Sequence, residues 1–284
     1  MLRSKLSSFR EYMTPVSNDS KYIENGTITP NEFVIAGNYL ADKFVTWTWN
    51  SEDTEVSEKN LKIKSFLPKE KQFLVTRKVV CYKRCEDLQK DENELAISGT
   101  VEVFDEDNNV WIVKPKEKII EKAKETVHVD ESGYNLDEEE LESDGEDQFS
   151  VYDEIEDSIN KRYYDLFIFY STSYKVPKMY LVGFNNEGQP LSPKEMLSDV
   201  SPEYRKKTAT IENLPIFDNK IPSISIHPCK HGNVMKLLMS KMKESRSIVS
   251  EGKDLTVDSY LVIFLKFMNS VIPTMEYDFT MDSG

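Results

Sequence analysis

Residues 227–231 read His-Pro-Cys-Lys-His. Two of the chain's three histidines and one of its three cysteines fall within these five positions. Such residues suit three chemistries. Imidazole and thiolate bind zinc, a thiolate beside an imidazole is a nucleophile with its base, and a lone cysteine is a small hydrophobe. For zinc, His227, Cys229 and His231 give three donors at spacings of two. A structural zinc takes four, commonly in separated pairs. Cys81 and Cys85 would have to complete the set from elsewhere, and nothing in the sequence demands it. Neither a metal nor a cofactor is expected. A cysteine protease needs a histidine within hydrogen-bond reach and a third group to orient it. Histidines two residues from the cysteine seldom reach that geometry, and His128 lies in an acidic stretch apart from the core.

Placement on a loop suits a nucleophile, yet the residues by themselves favour the plainer reading, a cysteine buried as a small hydrophobe. PSISIHP (222–228) alternates like a strand. HGNVMKLLMSKMK begins a helix with Val234, Leu237, Leu238 and Met242 on one face. Cys229 falls on the joint between them, where a rigid scaffold holds an open loop. Lys230, the two histidines and the helix N-terminus each favour thiolate over thiol. Pro228 restricts His227 and stiffens the approach.

The elements that must hold this joint can be read along the chain. Thr29-Pro30-Asn31-Glu32 is a capping box with proline at the first helical position, opening a helix to about Phe44. Trp47 and Trp49 alternate in an extended segment and are read as core. Residues 71–84, 162–171 and 178–185 read as strands, with Asn186-Glu187-Gly188 as a turn. LAISGTVEVF (95–104) can add another. Ser192 to Glu195 repeats the capping pattern, and residues 204–208 read as a loop before the cysteine strand. Residues 245–254 read as a polar joint, and 259–271 as a largely buried helix.

The net charge is −14. That excludes a nucleic-acid binder, whose footprint is basic. The charge is local: Glu125 to Asn160 holds 15 acids and no Lys or Arg, which leaves 35 acids against 36 bases elsewhere. Residues 86–160 are poor in apolar side chains and are expected to be largely disordered, an insertion between two stretches of core. Three cysteines make no disulfide framework, and MLRSKLSSFREY lacks a signal-peptide core. A cytoplasmic protein is expected. Leu2, Leu6, Phe9 and Met13 share one helical face, with Arg3, Lys5 and Arg10 on the other sides. Such a helix either lies in a headgroup layer or packs on its own domain.

RYYDLFIFYSTSYKVPKMYLVGFN, LSPKEM, YRKKTATIENLP and SISIHPCKHGNVMK occur in that order. REYMTP and ITPNEF precede them, and FLKF and YDFTM follow. In this order they resemble the autophagy-related conjugating enzymes that attach a ubiquitin-like modifier to a lipid. The resemblance covers nearly the whole chain outside 86–160 and 241–257.

It implies an α+β, ubiquitin-conjugating-enzyme-like fold, an antiparallel sheet flanked by helices with a long acidic flexible insertion. It divides the chain into a membrane-contacting helix (1–20), a catalytic core (21–85 and 161–284), the insertion (86–160) and a shortened handle-like segment (241–257). It implies that Cys229 accepts the modifier's C-terminal glycine from an activating enzyme and passes it to the amine of phosphatidylethanolamine. A second conjugate complex would stimulate that transfer, and attachment to phosphatidylethanolamine membranes would be peripheral and reversible. Ordinary ubiquitin-conjugating enzymes carry His-Pro-Asn ahead of the cysteine, the Asn supporting an oxyanion; here the tripeptide is His-Pro-Cys. Candidates near the cysteine are Thr208, Tyr204, His227, His231 and Asn233. The insertion is expected to dock the activating enzyme through apolar residues among its acids: Leu136, Leu141, Phe149, Val151 and Ile155. Tyr152-Asp153-Glu154-Ile155 has the form that such modifiers accept as an added strand. Residues 241–257 lack the Trp-x-x-Leu motif that family members carry there.

Overall fold

In the computed structural model, the residues described are 14–51, 63–87, 101–104, 110–113, 161–216, 220–249 and 256–277. The expected membrane-facing residues Leu2, Leu6, Phe9 and Met13 and the expected docking residues Leu136, Leu141, Phe149, Val151, Tyr152 and Ile155 lie outside them.

Helix α1 (Pro30–Lys43) starts as the sequence dictates. The Thr29 hydroxyl accepts the Glu32 N–H at 3.2 Å, and the Glu32 carboxylate accepts the Thr29 N–H at 2.7 Å. The reciprocal pair satisfies two of the donors that a helix N-terminus leaves unpaired. Phe33, Ala36 and Leu40 turn inward and are fully buried. The chain continues through β1 (Thr48–Trp49) into β2 (Phe73–Cys81). Trp47 and Trp49 are buried, as expected.

β3 (Val101–Phe104), which falls in the stretch 95–104 read as a further strand, and β4 (Val110–Val113) pair as a separate antiparallel hairpin within the insertion expected to be largely disordered. β5 (Arg162–Ser171) and β6 (Val176–Phe184) form the central hairpin. Both are buried along most of their length, which explains their near-continuous apolar sequence. After β6 come the short helices α2 (Pro193–Ser198) and α3 (Pro202–Lys207), β7 (Ala209–Asn213) and β8 (Pro222–Ile226). A 3₁₀ turn at Pro228–Lys230 leads into α4 (His231–Val249). The last elements among the described residues are α5 (Tyr260–Val271) and β9 (Met275–Glu276).

The main sheet is antiparallel with order β1-β2-β5-β6-β8-β7, and β9 pairs with the far end of β2. Two apolar layers lie on its faces. The larger holds α1, α4 and α5 against Tyr164, Leu166, Ile168 and Tyr170 of β5. The smaller gathers Phe73, Val75, Phe167, Phe169, Tyr180 and Val182 under Leu214 and Ile216 of the β7–β8 connection. α5 is apolar nearly all round because eight of its residues are buried.

The structure differs from the sequence reading in three places. Residues 204–208, read as a loop, belong to α3 and its C-cap, and β7 follows them directly. They are polar and short, and tertiary pairing with β8 makes the strand. α4 runs to Val249, into the expected polar joint. β2 carries a bulge between Thr76 and Val79, where Lys78 takes a φ of 55°. The Asp165 carboxylate holds that bulge, accepting from the Arg77 guanidinium at 2.6 Å and the Lys78 N–H at 3.1 Å.

Candidate active site

Cys229 sits in the 3₁₀ turn that joins β8 to α4. Of the three cysteines it alone is exposed; Cys81 and Cys85 are buried. The turn is held from both sides. Upstream, the His227 N–H donates to the Thr208 carbonyl at 2.8 Å, which continues the β7–β8 ladder up to the site. The His227 side chain then caps the turn, its Nδ1 accepting the Cys229 N–H at 3.2 Å. An acceptor at Nδ1 puts the ring proton of neutral His227 on Nε2. The Tyr174 ring, from the β5–β6 loop, meets the imidazole edge-on at 5.4 Å.

Downstream, His231 is buried. Its Nδ1 lies 3.0 Å from the Pro177 carbonyl, so Nδ1 carries the proton and donates. Nε2 is buried and meets no polar partner among the described residues. The ring packs on Phe264 and Phe267 of α5, with centroids 5.6 and 5.3 Å away. Burial pulls its pKa down to about 4, and the Pro177 carbonyl only partly opposes this. His231 is therefore a neutral core residue that pins the first residue of α4 to β6, and its lone pair faces aromatic carbon.

Tyr204 also points into the core. Its hydroxyl pairs with Ser270 at 3.2 Å, and burial pushes its pKa up to about 12. Thr208 is buried, with its hydroxyl 3.4 Å from the Tyr204 carbonyl. Asn233, in the first turn of α4, is exposed. So the structure places Thr208 and His227 on the frame of the turn, Tyr204 and His231 inside the core, and Asn233 on the surface.

The thiol differs from the sequence expectation. Cys229 is exposed as a residue, yet the surroundings shield its sulfur enough to raise its pKa above the usual thiol value. Lys230 and the backbone N–H groups of Cys229 and Lys230 pull the other way, as expected of them, but do not win. The resting group at neutral pH is the thiol. Among the described residues no set of three His, Cys, Asp or Glu side chains converges as a metal site. The Cys85 thiol donates to the Asp199 carbonyl at 3.1 Å, and the Cys81 thiol lies 3.3 Å from the Thr274 hydroxyl. Burial raises their pKa values to about 12 and about 11.

Sequence reasoning missed the groups that hold the turn from a distance. Gly26 has a φ of 70°, and a Cβ there would lie 2.0 Å from the Gly232 carbonyl oxygen and 2.5 Å from the Lys236 nitrogen. The backbone of residues 25–26 thus presses against the first turns of α4. Tyr260 donates to the Gly26 carbonyl at 2.5 Å, and the Ile28 N–H donates to the Lys175 carbonyl at 2.8 Å, tying the same segment to α5 and to the β5–β6 loop. Asn25-Gly26 is legible as a turn. Its partner, more than 200 residues away, is not.

An antiparallel sheet layered with helices, delivering one exposed thiol on the turn between a strand and a helix, is the arrangement that the resemblance to ubiquitin-conjugating-enzyme-like proteins implies. Residues 32–279 match the family model described as autophagocytosis associated protein, active-site domain, and the chain belongs to that family. It is 42% identical to Autophagy-related protein 3 of Saccharomyces cerevisiae over 99% of both chains. It is 44% identical to the protein of that name from Kluyveromyces lactis over 99% of both chains. The one from Meyerozyma guilliermondii is 45% identical over 100% of both. The chain is an autophagy conjugating enzyme, a transferase. No helix among the described residues is long and apolar enough to cross a membrane.

Proposed function

We propose that Cys229 carries the C-terminal glycine of a ubiquitin-like modifier as a thioester and passes it to the amine of phosphatidylethanolamine. The observation that carries this reading is the single exposed thiol on a turn braced by His227 and His231. In the first step the Cys229 sulfur, having lost its proton, attacks the thioester carbonyl of the modifier held on an activating enzyme. A new C–S bond forms and the enzyme's thiol leaves. The two thioesters are close in energy, so an accessible sulfur suffices and a strong base is not needed. In the second step the lipid amine attacks the carbonyl, an amide forms, the C–S bond breaks and the Cys229 thiol is regenerated. The amine proton leaves, and the tetrahedral oxyanion needs a donor. Asn233 is the exposed amide one helical turn past Cys229, and it is the proposed donor.

The remaining assignments follow from the same reading. Residues 1–20, with Leu2, Leu6, Phe9 and Met13 as the apolar face, bring the cytoplasmic enzyme reversibly to the membrane. The acidic insertion, through Phe149, Leu141, Tyr152 and Ile155, docks the activating enzyme or the modifier, and a second conjugate complex stimulates transfer. Incubation with activating enzyme, modifier and ATP should give a thiol-sensitive adduct that Cys229→Ala abolishes. Asn233→Ala should load normally and discharge about tenfold more slowly. Leu6→Asp should lose binding to small liposomes while still loading. Absence of an adduct on the native chain would sink the reading, and an isopeptide to a protein lysine as the sole product would refute the lipid acceptor.

A further inference from the structure

β7 is the last strand of the sheet, and its outer side has no neighbour among the described residues. In an antiparallel pair, alternate residues turn their N–H and C=O groups toward the partner. The bonds at the two ends of the β7–β8 pairing fix which ones. The His227 N–H donates to the Thr208 carbonyl at 2.8 Å, and the Leu214 N–H donates to the Ile221 carbonyl at 2.9 Å. Thr210 lies opposite Ser225 and Glu212 opposite Ser223, so 208, 210, 212 and 214 bond inward. Ala209, Ile211 and Asn213 therefore present their backbone groups outward. Ile211 is also 53% exposed, a large apolar side chain on an open edge. Natural sheets protect such edges with prolines, bulges, lysines or a covering element. Among the described residues, none of these guards β7 itself. The strand is instead stiffened from behind. Lys178 of β6 reaches across β8 to Glu212 at 2.8 Å, and Thr210 donates to the other Glu212 oxygen at 2.9 Å.

This edge begins at the reactive turn. The carbonyl of Thr208, one residue before β7, is bonded to His227, two residues before Cys229. We infer that the outer edge of β7 binds, as an added antiparallel strand, the extended C-terminal segment of the modifier carried on Cys229. The inference rests on the carrier role proposed above. That segment is the occupant because the reaction itself fixes its last residue at the sulfur, which raises its concentration at the edge far above that of any free strand. Main-chain pairing to Ala209, Ile211 and Asn213 would supply affinity without demanding particular side chains, and Ile211 would cover one apolar residue of the tail. Held this way, the thioester carbonyl is presented to the amine in one orientation.

The test uses the full chain loaded with modifier on Cys229→Ser, which gives a stable oxyester. Amide hydrogen exchange at Ala209, Ile211 and Asn213 should be fast in the unloaded protein and slow by at least about tenfold on loading. The inward amides of Thr210 and Glu212 should be protected in both. Ile211→Pro removes an outward N–H that β8 does not use, a substitution an edge strand accepts. It should melt like the parent and, once loaded, discharge several-fold more slowly to an amine. Loading without new protection at the three outward amides overturns the inference and leaves the carrier role standing, as does an unchanged discharge rate in Ile211→Pro. Failure of the parent chain to load overturns both.

Discussion

His231 offers a measurable consequence of burial. In the unfolded chain its imidazole titrates at about 6.5, and in the folded protein at about 4. Between those values the unfolded state binds a proton that the native state refuses, so stability falls as pH falls. The contribution is intact above the unfolded pKa and is lost progressively down to the folded one. At about 1.36 kcal/mol per pH unit, the full loss is about 3 kcal/mol, of which about 2 kcal/mol is gone by pH 5. Carboxylates titrate in the same range, so the effect must be isolated by difference. His231→Gln cannot ionise and keeps a donor for the Pro177 carbonyl. Urea unfolding of both proteins at pH 7 and pH 5 gives the two stabilities. The variant should start lower at pH 7, by about 1–2 kcal/mol for the altered packing. It should then lose about 2 kcal/mol less than the parent on acidification. Parallel acid slopes would refute the buried, neutral assignment. They would mean that the imidazole stays accessible to protons in the native state.

The remaining consequences concern the turn and its thiol. Gly26→Ala forces a positive φ on a side chain and drives a Cβ into the Gly232 carbonyl. It should cost at least about 2 kcal/mol in urea unfolding and slow loading of Cys229. Gly188→Ala, at a φ of 79° with open space around it, should cost less and leave loading unchanged; equal costs would show that the contact with α4 is not what matters. Because shielding raises the Cys229 pKa, its alkylation by iodoacetamide should accelerate about tenfold per pH unit between pH 7 and 8. Lys230→Ala should slow it at fixed pH by removing the cation that opposes the shift. A rate flat with pH would mean the resting group is already thiolate.

Much of the fold was legible. The capping boxes at Thr29 and Ser192 form as written, because they depend on residues three apart and on local backbone geometry. The β5–β6 strands were readable because they are buried enough to be apolar along their length. α3 and β7 were not, since their residues are polar and half-exposed and their form is imposed by pairing with β8. The bulge in β2 was equally hidden, for it depends on Asp165 across the strand pair.

The order of motifs around His-Pro-Cys-Lys-His determined by itself the family, the fold class and the residue to watch. It also set Cys229 on a strand-to-helix joint, since those two periodicities are local. Only the tertiary structure sorted the neighbours. His227 and His231 are each two residues from Cys229. One caps the turn beside Tyr174, and the other is buried under Phe264 and Phe267. Only the tertiary structure showed that burial raises the pKa of the Cys229 thiol and that a glycine at position 26 braces the turn that carries it. The reason is physical: protonation and close approach depend on what surrounds a group in space, and in a sheet whose neighbours are distant in sequence those surroundings come from everywhere along the chain.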